Sequence, residues 1–186
     1  MPPRHAAGRS SLSSLQPLDT RSFSKPASLL LVWGSVLLVW VVSLLSWRLW
    51  APVPDLLLLV LAFWCLYEPR RVGLFTAFLF GLLMDVHDAA PLGGQALVYG
   101  LVAYGVVLLS KRLQRFNAIV QALHLLPVFV LPAAVHGLLS SWLQGQWVGW
   151  NWLWSALLTL ALWPVLYILL HYLPNRLHDE VASGSA

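Results

Sequence analysis

The chain has 186 residues, of which 59% are hydrophobic and 10% charged, with a formal net charge of +4. Soluble domains carry about 25% charged residues, so this composition, with a mean hydropathy of +0.75, excludes an ordinary water-soluble fold and makes bilayer hydrocarbon the relevant solvent. The Lys and Arg residues stand in ones, twos and threes beside apolar runs, as membrane anchors do, and form no patch for nucleic acid.

Residues 1–28, rich in Ser, Pro and basic residues, read as a flexible cytoplasmic tail. The first apolar run, 29–47, is too long for a signal-peptide core and lacks a small-x-small cleavage site before Arg48, so it is expected to stay as an anchor. Further spans are predicted at about 53–68, 71–86, 95–110, 118–142 and 150–173. The fold class is therefore all-α, a polytopic membrane bundle of about six helices over residues 29–176, followed by a short cytoplasmic tail at 177–186. The second, third and fourth spans are short and must run near the membrane normal, recruit flanking residues or stop partway. Cys65, the single cysteine, has no partner for a disulfide and reads as a small core residue.

Orientation follows from the basic residues, which resist translocation. Arg4, Arg9, Arg21 and Lys25 precede the first span, Arg70 and Arg71 follow the second, Lys111, Arg112 and Arg115 follow the fourth, and Arg176 follows the sixth, whereas Arg48 alone falls in the opposite set of breaks. Both termini are expected in the cytoplasm. Trp47, Trp50, Trp142, Trp147, Trp150, Trp152 and Trp154 all fall at the predicted outer surface, where indole rings favour the interface. Anchoring is the simpler reading of this belt; a stacking platform for carbohydrate or lipid is the alternative for Trp147 to Trp154.

Little catalytic or ion-coupling chemistry is legible. Asp55, Glu68 and Asp85 fall at predicted helix ends, and no array of charges marks the midplane as a coupled transporter would. His124 and His136 share the fifth span but are separated by about 120° around it. Asp85, His87 and Asp88 resemble part of a metal site without matching a ligand signature, and a solvated outer turn is the expected reading. Neither a nucleophile elbow nor a phosphate-cradling loop is present, so the chain is read as a non-enzyme without metal or cofactor. An acid/base pair of Asp55 and Asp85 is the catalytic alternative.

Small residues are more informative. Gly73, Ala77 and Gly81 recur every fourth residue and predict a ridge on the third span that admits another backbone, and Ala96 and Gly100 offer a shorter match on the fourth. The connection between them contains Pro91, Leu92, Gly93 and Gly94, the signature of a tight, shaped turn. Pro127 and Pro132 each remove a backbone donor from the fifth span and predict kinks that open a groove.

The order Pro54-Asp55, Gly81-Leu82-Leu83-Met84-Asp85, Pro91-Leu92-Gly93, Tyr99-Gly100 resembles the bacterial rod shape-determining MreD family, over residues 29–173. The resemblance implies a fold similar to the substrate-binding components of energy-coupling-factor transporters. It also implies a scaffold in the cell-elongation machinery that binds an MreC-like bitopic protein, with links to the MreB filament and the RodA and transpeptidase synthase pair, in support of lateral peptidoglycan synthesis. Partner contacts are expected at the Gly73, Ala77, Gly81 ridge, at Asp55 and the Asp85 to Gly93 segment, and around Pro127 and Pro132. A small-molecule or lipid-binding transporter component is the alternative.

Overall fold

The computed structural model describes residues 29–45, 52–147 and 149–170. The expectations for 1–28, for the carboxyl-terminal tail and for Trp47, Arg48, Trp50 and Arg176 lie outside the described residues. Six helices follow in order: α1 (Leu29–Ser43), α2 (Leu56–Tyr67), α3 (Leu74–His87), α4 (Gly94–Leu113), α5 (Ala118–Gln144) and α6 (Asn151–Ala161), and the chain is helical again over 163–170. The regular structure of the described residues is entirely helical.

The helix α2 is apolar all round, with every residue from Leu57 to Leu66 buried, which places it at the centre of the bundle. It packs against α1, α3, α4 and α6, and α3 and α4 form the most extensive pair. Trp64 Nε1 donates to Ser35 Oγ at 2.9 Å and so ties α2 to α1. Phe63 sits against Trp64, Tyr67 and Trp163, and Trp40 meets the edge of Phe80. The outward faces are equally apolar: Phe75, Leu108, Ile119 and Leu131 are all exposed, as lipid-facing residues are.

Helix lengths depart from the sequence expectation in two places. The fourth helix is not short, because Lys111 and Arg112 do not break it; they occupy its last turn, where cations suit the negative end of the helix dipole. The sixth is interrupted at Leu162, two residues ahead of Pro164, whose ring excludes the regular bond of the preceding turn. Among the described residues three helical stretches are long and apolar enough to cross a membrane: α4, α5 and 151–170. By contrast the 12 residues of α2 rise only about 18 Å.

Candidate functional site

At the predicted outer end, α3 and α4 are joined by a turn built around one carboxylate. Asp85, in the last turn of α3, is fully buried. Its Oδ2 accepts from the backbone N–H of Gly93 at 2.9 Å and of Ala96 at 3.2 Å, and its Oδ1 accepts from Gln95 N–H at 2.7 Å. These are amides at the start of α4, which no intrahelical carbonyl reaches. Gly93, the N-cap residue, has no side chain to satisfy them, so Asp85 caps α4 from a neighbouring helix. The expectation of a solvated outer turn is thus corrected at Asp85, while His87 and Asp88 remain exposed. Among the described residues no group of three His, Cys, Asp or Glu side chains is placed to hold a metal.

Backbone geometry requires the glycine here. Gly93 has φ 101 and Ala89 has φ 50, so two residues of the turn take positive φ, the region that favours glycine. Leu92 projects from it with 71% exposure. Below the turn, a Cβ on Gly81 would lie 2.6 Å from Ala96 Cα and 2.8 Å from the Gln95 carbonyl oxygen, so α3 and α4 touch backbone to backbone at that point. The ridge expected from sequence is shorter than its pattern. Gly73 lies outside α3 as its N-cap residue, where a Cβ would make only an ordinary 3.4 Å contact with Pro69, while Ala77 and Gly81 are buried.

Beside the turn is a cavity of about 240 Å³, walled by Pro91, Leu92 and Gly93 on one side and by His136, Leu139 and Ser140 of α5 on the other. The imidazole of His136 fits here because Gly94 has no Cβ; an added one would sit 2.8 Å from Nε2. Ser140 Oγ lies 3.4 Å from the same nitrogen.

Asp55 organises a second junction. As the N-cap of α2 it accepts from Leu58 N–H at 3.1 Å, and the Tyr99 hydroxyl of α4 donates to its carboxylate at 2.7 Å. Its own N–H donates to Thr159 Oγ1 of α6 at 2.8 Å, and Ser155 Oγ donates to the Val53 carbonyl at 2.6 Å. Thus α2, α4 and α6 are joined around one residue. Both aspartates are held by groups of the fold, an arrangement that caps helices rather than one that shuttles protons to a substrate.

At the opposite end, buried Gln121 of α5 does what the sequence reading missed. Its Nε2 lies 3.0 Å from the Leu113 and Phe116 carbonyls and from Tyr67 Oη, three acceptors that share its two hydrogens, and its Oε1 accepts from Trp163 Nε1 at 3.2 Å. Gln114 Nε2 donates to the Leu66 carbonyl at 2.6 Å. A lone glutamine at the start of an apolar span was the available signal. Glu68 pairs only loosely with Arg71, at 3.7 Å.

The remaining candidates separate from one another. His124 is exposed and stacks on Phe116, far along α5 from His136. Pro127 faces outward and Pro132 inward, and α5 continues as helix through both. Trp142, Trp147, Trp150 and Trp154 are exposed at the predicted outer end, with Trp150 packed against both Trp147 and Trp152.

A bundle of apolar helices pinned at both ends by buried polar clamps, with its shaped turn and cavity at one rim, defines a polytopic membrane protein. The chain belongs to the MreD family of rod shape-determining proteins, whose family model matches residues 23–173. Membership gives it a role in rod shape determination. No solved structure matches the chain.

Proposed function

We propose that this protein is a non-enzymatic scaffold of the cell-elongation machinery in the bacterial inner membrane, with both termini cytoplasmic, and that it presents the turn around Leu92 to an MreC-like bitopic partner. Links to the MreB filament and the RodA and transpeptidase pair, and through them to lateral peptidoglycan synthesis, are part of the same reading. The observation that carries it is the turn itself: an exposed leucine held on a backbone that a fully buried carboxylate fixes in place. Such preorganisation lowers the ordering cost of binding.

The cavity of about 240 Å³ beside the turn has room for one or two partner side chains. Kinship with energy-coupling-factor substrate-binding components belongs to the transport reading. The ridge offers no docking groove, since Ala77 and Gly81 are buried, so a partner helix has the outward face of α5 around Pro127 as its remaining candidate.

Leu92→Glu tests the proposal. The variant should accumulate normally in membranes, lose the MreC-like protein on affinity purification and fail to sustain rod shape. Normal partner retention and normal shape would reject the turn as the contact. Co-purification of an ATPase module or a small ligand in place of the partner would support transport.

A further inference from the structure

The two sides of the bundle differ in height. On α3 the exposed apolar residues run from Leu74 to Val86, a rise of about 18 Å, and on α4 from Leu97 to Leu108, about 17 Å. On α5, counted in the same way from beyond exposed His124, they run from Leu126 to Leu143, about 26 Å. The short band has charged borders. Exposed Arg70, Lys111 and Arg112 bound it at one end, and exposed His87 and Asp88 at the other. Arginine and lysine stems reach a few Å toward an interface, but His87 and Asp88 are too short to do so. Hydrocarbon about 30 Å thick therefore cannot lie against the 14 residues of α3 without covering charge. Tilting a helix shortens its span further.

We propose that the α3 face thins the bilayer, drawing the adjacent hydrocarbon down to the order of 20 Å, while α5 meets thicker lipid. Its occupant is phospholipid, in short-chain or compressed form. The shape of the face supports this choice: helix pairing in lipid relies on small residues, and those of α3, Ala77 and Gly81, are buried, which leaves Phe75, Phe78, Leu79 and Leu83 facing outward. The surface is bulky and suits acyl chains. The inference rests on the membrane-spanning reading of the bundle.

Nitroxide depth measurement tests it on the full chain reconstituted in dioleoylphosphatidylcholine vesicles. Single cysteines replace Leu74 and Val86 on α3 and, as a pair of equal separation, Leu126 and Leu138 on α5. Cys65 is retained, since it is buried beyond reach of the label, or replaced by alanine as a second background. The ratio of nickel-chelate to oxygen collisions should be several-fold higher at 74 and 86 than at 126 and 138. Equal ratios in the two pairs would overturn the proposal, because the bilayer would then be uniform. Suppression of both collision rates at 74 and 86 would also overturn it, by showing a second protein copy on the face. High nickel collision at all four positions would refute the spanning reading itself.

Discussion

Replacing Asp85 tests the capping of α4 most directly. Hydrogen bonds to a charged group contribute about 1.5–3 kcal/mol each, and Asp85 accepts three from backbone amides at zero exposure. Asparagine can keep its oxygen toward Gly93 and Ala96 but must then turn its amide toward the Gln95 N–H, donor against donor at 2.7 Å. One bond is lost, and both the Gln95 N–H and the new amide group are left without an acceptor, for a cost of about 2–5 kcal/mol. Alanine leaves all three amides unpaired and should cost more. Glutamate carries one methylene too many for a site with no free surface and should not restore the wild-type value. Equilibrium unfolding in mixed micelles of mild detergent and dodecyl sulfate measures the series, with membrane abundance as a second readout. Neutral hydrogen bonds between membrane helices average about 0.6 kcal/mol. A loss for Asp85→Ala no larger than that would refute the argument, since the carboxylate would then be contributing no more than an ordinary interhelical contact.

Gly81→Ala should cost about 1–3 kcal/mol, because its Cβ meets Ala96 backbone and not a movable side chain, whereas Gly73→Ala and Leu79→Ile should be near neutral by the same assay. Equal tolerance at Gly81 and Gly73 would contradict the close approach. Gln121→Leu removes the amide's bonds to Leu113, Phe116 and Tyr67 and leaves the Trp163 indole N–H without its acceptor, so folded yield should fall by more than for Gln114→Leu, whose site is at the surface. For orientation, a cysteine at exposed Leu92 should react with an impermeant thiol reagent in intact spheroplasts and one at exposed Arg115 should not; the reverse pattern would invert the topology.

What could be read from sequence follows from how strongly each feature is encoded. Helix count and the positions of the breaks were legible, because charge and turn residues are scarce against so apolar a background. Asp55 and Tyr99 were legible as individual motif residues but not as partners, since 44 positions separate them and nothing local records their contact. The central place of α2 was hidden for a different reason. In lipid a core-facing and an acyl-facing leucine are chemically alike, so hydrophobic periodicity loses the contrast that marks a buried face in water. Asp85 was noticed, yet its partners are backbone amides, which carry no residue signature. The ridge pattern overran its helix because three small residues at the right spacing say nothing about where the helix begins, and Gly73 stands one residue too early.

The placement of the polar clamps has a mechanical consequence. Apolar side chains in the middle of the bundle gain little from contact with one another as against lipid, so they set shape but hold register weakly. Register is then carried by the ends: Asp85 and Asp55 at one, Gln121 at the other. The α4 helix belongs to both, gripped at its first turn by Asp85, one turn later through Tyr99, and at its final carbonyl by Gln121. A force applied to the turn at Leu92 therefore cannot be absorbed by the turn alone. It passes through Gly93 to Asp85 and on to α3, or down α4 to the Asp55 junction and so to α2 and α6. In the scaffold proposed above, a contact surface that yields only when the whole bundle yields would pass force from one partner to the next, and in this chain that stiffness comes from a few polar side chains at the helix ends.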